Sequence, residues 1–399
     1  MNMIAASLVS LLVVLFTLPA AYLFLVTIAA YFFRKKTGNT NRMLRIGVLI
    51  PAHNEEEGIV RTIESINAGN YPKELTSIFV IADNCSDRTA EKAGNAGAVV
   101  TERTDTVNRG KGQALDWFLR EQRALFKSVD VITIIDADVS ADTRFLREIS
   151  LSFSQPEVQA LQAYNGVSNP KAGWRPGLLD AAFNVFNHLR MAGPSTLSGT
   201  CVLKGNGMAF SRALLETQGW PCHSIVEDME FSLKLLQQGI AVHYNPDAIV
   251  RSEMVTSSKN ASSQRSRWES GRFALVSSMG LPLLGLFFRT LRTQYLVAFA
   301  ELTIPPLSLL SVLFAIGTIL AFSLLSGAWI SIVIAWWLIL VLYVLSGQIQ
   351  RKAPLSTWLV LTAAPFYILW KIPLYAAMLI RKKSDTWIRT TREHQHPEQ

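Results

Sequence analysis

The chain predicts an α/β domain, built on a largely parallel sheet with crossover helices and held between membrane-spanning segments. Two observations carry this. Apolar residues concentrate before residue 34 and after residue 280, which is the distribution of membrane spans flanking a water-soluble unit. Between about Arg45 and Val250, apolar runs of strand length alternate with amphipathic stretches of helix length, the pattern of strand, crossover helix and parallel strand. The 399 residues suffice for one soluble domain plus spans.

From Ile4 to Phe33 there is no charged residue. As a helix this stretch would be about 45 Å long against a hydrocarbon core of about 30 Å, so it can span with tilt despite Pro19. A cleaved signal peptide is disfavoured, because the apolar run is too long and the basic cluster follows it instead of preceding it. Residues 1–36 therefore read as an N-terminal anchor. Arg34, Lys35 and Lys36 after the span place the next segment in the cytoplasm by the positive-inside rule.

Within residues 44–275 three strand-like runs each lead into polar segments. IGVLI (46–50) leads to Pro51 and a helix through Ile66, SIFVIA (77–82) to DNCSDRTAEKA, and VITII (131–135) to Asp136. Ligands of such sheets bind beyond the carboxyl ends of the strands, so chemistry is expected there. Residues 276–383 read as interfacial and transmembrane helices. Apolar stretches at Leu307–Leu325 and Trp329–Leu345 suit a hairpin turning at Ser326 and Gly327, while LPLLGLFF (281–288) is too short to span alone. A third stretch, Leu355–Ile380, is interrupted by Pro365, Lys371 and Pro373 and has basic residues at both ends, so it either crosses against the charge rule or lies in the interface. A polar tail, 384–399, closes the chain.

The formal net charge is +8. Much of the excess lies beside apolar stretches (Arg34 to Lys36, Arg351, Lys352, Arg381 to Lys383), which points to membrane lipids and away from a nucleic-acid partner. Cys85, Cys201 and Cys222 show neither metal-site spacing nor a disulfide framework.

Asp136 and Asp138 flank Ala137 directly after a buried strand. Two carboxylates so placed can share a divalent cation, and hard oxygen ligands select magnesium or manganese. Asp83 and Asn84 end a neighbouring strand and stand near that pair in a parallel sheet, where a side-chain acceptor could fix a base or ribose edge; Ser86 or Asp87 suits a helix cap. Asn108 to Gly112 offers a glycine-rich loop with Arg109 and Lys111 before a helix, suited to phosphate and equally to a solvated loop. Glu227 and Asp228 open an amphipathic helix, where one acid can cap and the other stay free. Gln264, Arg267 and Trp268 share a helix face. Gly205-Asn206-Gly207 lacks the third glycine of a dinucleotide fingerprint, which disfavours an NAD site.

In order, PAHNE (51–55), ADN (82–84), RGKG (109–112), DAD (136–138), GNGMAF (205–210), VED (226–228) and QRSRW (264–268) resemble the family 2 glycosyltransferases. The Gln-x-x-Arg-Trp version is similar to that of processive synthases of cellulose, chitin, hyaluronan and poly-N-acetylglucosamine. The resemblance covers about residues 46–275. It implies the nucleotide-diphospho-sugar transferase (GT-A) fold, with flanking transmembrane helices, and an inverting mechanism. It also implies a nucleotide-sugar donor, expected as a UDP-sugar, with Mg2+ or Mn2+ on Asp136 and Asp138. Asn54, Glu55, Asp83, Lys111, Asp136 and Asp138 would bind the donor. Asp228 would be the general base, and Glu227, Gln264, Arg267 and Trp268 would border diphosphate and acceptor. The family's common Thr-Glu-Asp reads Val226-Glu227-Asp228 here, and SGTCVLKGNG replaces the usual charged or Cys-rich segment before Gly205, leaving acceptor contacts open. The expected product is the growing end of a β-linked polysaccharide; transfer to a lipid-linked acceptor and a non-enzymatic glycan-binding role are the alternatives. Whether an export partner takes part is open.

Overall fold

The computed structural model describes residues 2–39, 42–254 and 258–380, with the side chains of 2, 258–268, 374 and 376–380 outside that description. The polar tail and the basic cluster Arg381 to Lys383 lie beyond the described residues.

Among the described residues eight strands form one sheet: β1 (Ile46–Ala52), β2 (Thr76–Asp83), β3 (Val99–Arg103), β4 (Val131–Ile134), β5 (Val139–Ala141), β6 (Ala160–Val167), β7 (Met208–Ser211) and β8 (Val242–Ser252). Their order is β3-β2-β1-β4-β7-β6-β8-β5. The three strands anticipated as runs are β1, β2 and β4, and they pair in parallel, Leu49 beside both Phe79 and Ile134. Such strands are covered on both faces and so read as continuous apolar runs. The sheet as a whole is mixed rather than largely parallel. β7 runs antiparallel to both β4 and β6, and β5 runs antiparallel to β8. This reversal has a consequence for the site: the amino end of β7 shares an edge with the carboxyl ends of β1, β2, β4, β6 and β8. Met208 pairs with Ile134, so the Gly205-Asn206-Gly207 turn meets the loop after β4.

The two faces of the sheet build separate cores. Val48, Ile50, Val80 and Ile63 pack with Phe145 on one side. Leu49, Phe79, Phe118 and Phe126 belong to the other, which is continuous with Val13, Leu23 and Val26 of the N-terminal helix Asn2–Tyr31 and with Phe314 and Trp336 of the C-terminal helices. The α/β domain and the apolar helices thus share one core.

Among the described residues, five helices are long and apolar enough to cross a membrane: Met3–Tyr31, Glu269–Thr290, Leu307–Leu324, Ala328–Gln350 and Leu355–Pro373. The hairpin turn falls at Gly327, whose φ of 61° suits glycine. LPLLGLFF, too short by itself, is the end of a continuous helix, Ser258–Thr290, whose polar first half hides its length in a hydropathy reading.

Polar residues bolt these helices to the domain. Gln348 is fully buried, accepting from Asn184 Nδ2 over 2.9 Å and donating to the Ala181 carbonyl over 2.9 Å. Arg190 and Glu301, both buried, form a bidentate pair that also receives the Tyr22 hydroxyl over 2.8 Å. Lys371, which interrupts the third apolar stretch, is paired with Glu269. Charges at this depth persist because each has a partner.

Candidate active site

At the shared edge, the loop after β4 presents Asp136 and Asp138, both half-buried, around the buried Ala137. Thr62 Oγ1 donates to the Ala137 carbonyl over 2.8 Å and fixes the loop from the helix Ile59–Asn67. Asn206, 3% exposed, accepts from the Asp136 N–H over 3.2 Å and donates to Ser252 Oγ over 3.1 Å. The loops after β4 and β8 and the turn before β7 are thereby one hydrogen-bonded unit.

Lys111 opens the helix Lys111–Glu121 and sends its ammonium into this edge. Nζ donates to Asp136 Oδ1 over 2.7 Å and to the Gly205 carbonyl. Burial works against its charge, but Asp136, Glu227 and Asp228 together hold the Lys111 pKa above its ordinary value. Glu227 and Asp228 begin the helix Glu227–Gln237 on the opposite side. Burial, and then the charge of Asp228, push the Glu227 carboxyl up to about 8. Asp228 is raised too, chiefly by burial. The pair therefore holds a proton over a range where ordinary carboxylates have lost theirs. Gly205 permits the closeness: its φ is 76°, and a Cβ there would stand 3.1 Å from Asp228 Oδ2.

Lys111, Asp136, Asp138, Lys204, Glu227 and Asp228 line one cavity of about 1240 Å³. It continues from the sheet edge to the C-terminal helices, where Leu340, Val344 and Ile368 line it. Lys204 had no assigned part in the sequence reading; burial lowers its pKa to about 8, and it lies in the segment SGTCVLKGNG that departs from the family pattern. Glu269, Arg272 and Lys371 also line the cavity and carried no sequence signal beyond their charge.

Asn54, Glu55 and Asp83 stand elsewhere on the edge and do not line this cavity. Asp83 is buried, accepting on Oδ1 from Arg103 over 2.6 Å and from Asn84 over 3.0 Å. Asn54, at φ 55°, accepts the Ser86 N–H over 2.7 Å, tying the loops after β1 and β2. The Glu55 N–H donates to Thr89 Oγ1 over 2.8 Å. Asp87, the anticipated cap, accepts the Thr89 N–H over 3.0 Å. Gln264, Arg267 and Trp268 lie on the helix Ser258–Thr290, but their side chains fall outside the described residues. One turn on, Gly271 packs so closely on Val226 that a Cβ would be 2.9 Å from Val226 Cγ1, which brings this helix against the segment opening Glu227 and Asp228.

Among the described residues no three His, Cys, Asp or Glu side chains form a ready-made ion cage. The donor set nevertheless suits magnesium or manganese, which commonly bind through one or two carboxylates with substrate phosphates completing the shell.

Acids and a lysine thus gather over the carboxyl edge of a mixed sheet in an α/β domain. Residues 44–271, more than half of the chain, match the family model "Glycosyltransferase like family 2", and the chain belongs to that family. It is 26% identical over 265 residues to the probable glycosyltransferase YdaM of Bacillus subtilis, covering 64% of this chain and 61% of that one. Identity is 26% over 243 residues to the beta-monoglucosyldiacylglycerol synthase of Synechocystis (57% and 48%). It is 25% over 286 residues to the poly-beta-1,6-N-acetyl-D-glucosamine synthase of Staphylococcus aureus (67% and 64%). The chain thus spans about half to two-thirds of these relatives' lengths. Among solved structures, the mannosyltransferase PcManGT of Pyrobaculum calidifontis, in complex with GDP-Man and Mn2+, superposes with a TM-score of 0.58 at 16% identity, covering 87% of this chain and 99% of that one. The fold is that of the GT-A glycosyltransferases.

Proposed function

We propose that this chain is an inverting membrane glycosyltransferase, which moves a sugar from a nucleotide-sugar donor to a hydroxyl presented from the membrane side. The observation that carries the reading is the meeting of Asp136, Lys111, Glu227 and Asp228 in one cavity that reaches the apolar helices. Arg34 to Lys36 after the first span favour a cytoplasmic site.

A sugar hydroxyl is a poor nucleophile near neutral pH, so a positioned carboxylate must take its proton as it attacks the anomeric carbon. Asp228 is assigned this role. The new carbon–oxygen bond forms as the bond to the leaving phosphate oxygen breaks, and the configuration inverts. Lys111 faces the charge that gathers on the leaving diphosphate. Glu227, holding its proton, donates to a diphosphate or acceptor oxygen. Asp136 and Asp138 would hold magnesium or manganese, which when bound supplies further charge neutralisation to the phosphates. Gln264, Arg267 and Trp268 are assigned to the diphosphate and acceptor border, supported by the packing of their helix on Val226. Asn54, Glu55 and Asp83 are assigned to the nucleoside side. For Asp83 this contact would pass to the oxygen that Arg103 does not hold.

The Gln-x-x-Arg-Trp motif favours a polysaccharide acceptor, but the cavity favours a lipid-linked one. Its membrane end is lined by Leu178, Val185, Leu340, Val341, Val344 and Ile368, with the rings of Phe183, Phe186, Trp337 and Tyr367 among them. Aliphatic side chains outnumber the aromatic and polar ones along these walls, which suits a hydrocarbon chain. The test presents purified protein with UDP-glucose, UDP-N-acetylglucosamine and GDP-mannose, with magnesium or manganese, and with dioleoylglycerol, undecaprenyl phosphate or a β-linked oligosaccharide. Nucleotide release and product mass are read together. A single sugar on a lipid is expected; a ladder of polymer masses would return the reading to polysaccharide synthesis, and no transfer at all would overturn it.

A further inference from the structure

The inner wall of the cavity holds a charge pair that sugar transfer does not use. Glu269 begins the apolar part of its helix and Lys371 lies on the last described helix, and both line the cavity. Their side chains meet over 2.6 Å, Lys371 being 2% and Glu269 7% exposed. Lys371 Nζ also contacts Tyr375 OH over 2.9 Å and Ser308 Oγ over 3.2 Å, so its three donors have partners. Glu269 is different. Its second oxygen, Oε2, is buried and has no hydrogen-bond partner among the described residues.

A buried carboxylate oxygen without a donor is costly, and an ionisable residue at membrane depth marks a ligand path more often than a structural need. A hydroxyl that enters the cavity can supply the missing donor. Because the pair is neutral overall and presents a carboxylate oxygen, it favours a hydroxyl and repels a phosphate. The nearby Arg272 keeps its charge, but its Nε and Nη2 donate to the carbonyls of Glu301, Leu302 and Ile304, none of which lines the cavity. We propose that Glu269, held by Lys371, recognises a neutral hydroxyl-bearing headgroup of a membrane lipid whose chains lie along Leu340, Val344 and Ile368. This rests on the lipid-acceptor reading above and adds the chemistry of the headgroup.

The experiment uses the full chain in phosphatidylcholine nanodiscs with a photoreactive dioleoylglycerol. Labelling is expected to be displaced by dioleoylglycerol but not by dioleoylphosphatidic acid. Replacing both charges together, Glu269→Leu with Lys371→Met, leaves no lone buried charge and is expected to cut labelling at least tenfold while nucleotide-sugar binding persists. Ile368→Trp, which fills the apolar part, is expected to cut labelling as well and serves if the paired variant does not fold. Equal labelling of a folded variant, or equal displacement by phosphatidic acid, would overturn the site. Labelling as expected without sugar transfer to dioleoylglycerol would instead sink the lipid-acceptor reading and leave the site standing.

Discussion

Lys111 donates to Asp136 Oδ1 over 2.7 Å, joining a helix amino terminus to the loop after β4 across 25 positions of sequence. The same ammonium lowers the pKa of both Glu227 and Asp228, against the burial that raises them. Lys111→Met should therefore raise both acids further. Since the base must be ionised to work, the acid limb of the kcat/KM profile should move to higher pH, with activity lost first at the acid end and partly regained as the pH rises. A uniform loss across pH would show that Lys111 acts on the donor alone.

Gly205→Ala places a side chain at a left-handed φ, a strain of about 1–2 kcal/mol, and sets a Cβ 3.1 Å from Asp228 Oδ2. A small fall in Tm is expected, with turnover down roughly tenfold to a hundredfold, because displacing a reacting group by an ångström can cost that much. Unchanged turnover would mean that the Asp228 carboxylate has room to move.

Glu301→Gln leaves the buried Arg190 guanidinium without its counter-charge. Breaking one side of such a pair costs about 3–5 kcal/mol, and thermal unfolding in detergent should show it. Arg190→Met combined with Glu301→Leu should recover most of the loss. If the single variant melts like the parent, the pair does not bolt the N-terminal helix to the domain.

The parts of the fold legible in the sequence are those whose signal is local. β1, β2 and β4 are buried on both faces and appear as apolar runs, and the spans Met3–Tyr31, Leu307–Leu324 and Ala328–Gln350 appear as uncharged stretches. β7 was not legible as antiparallel, because four residues of strand carry no direction; only the long excursion between β6 and β7 sets it. The site divides in the same way. Asp136, Asp138, Lys111, Glu227 and Asp228 stand in motifs beside strand or helix ends and converge. The Asp83–Arg103 pair joins adjacent strands 20 positions apart, and Lys204, Glu269 and Lys371 enter the cavity from elements whose contacts are set by tertiary packing, so their sequence neighbours give no hint of one another.

The account stands or falls on proton removal by Asp228. Asp228→Asn keeps the side chain's shape, relieves a buried acid pair and removes the acceptor of the proton. Turnover and Tm should be measured on one preparation, with nucleotide-sugar binding followed by calorimetry. Turnover should fall on the order of a hundredfold to ten-thousandfold, with donor affinity kept and Tm equal to or above that of the parent. Transfer at near the parental rate would contradict the assignment and make Glu227 the candidate base.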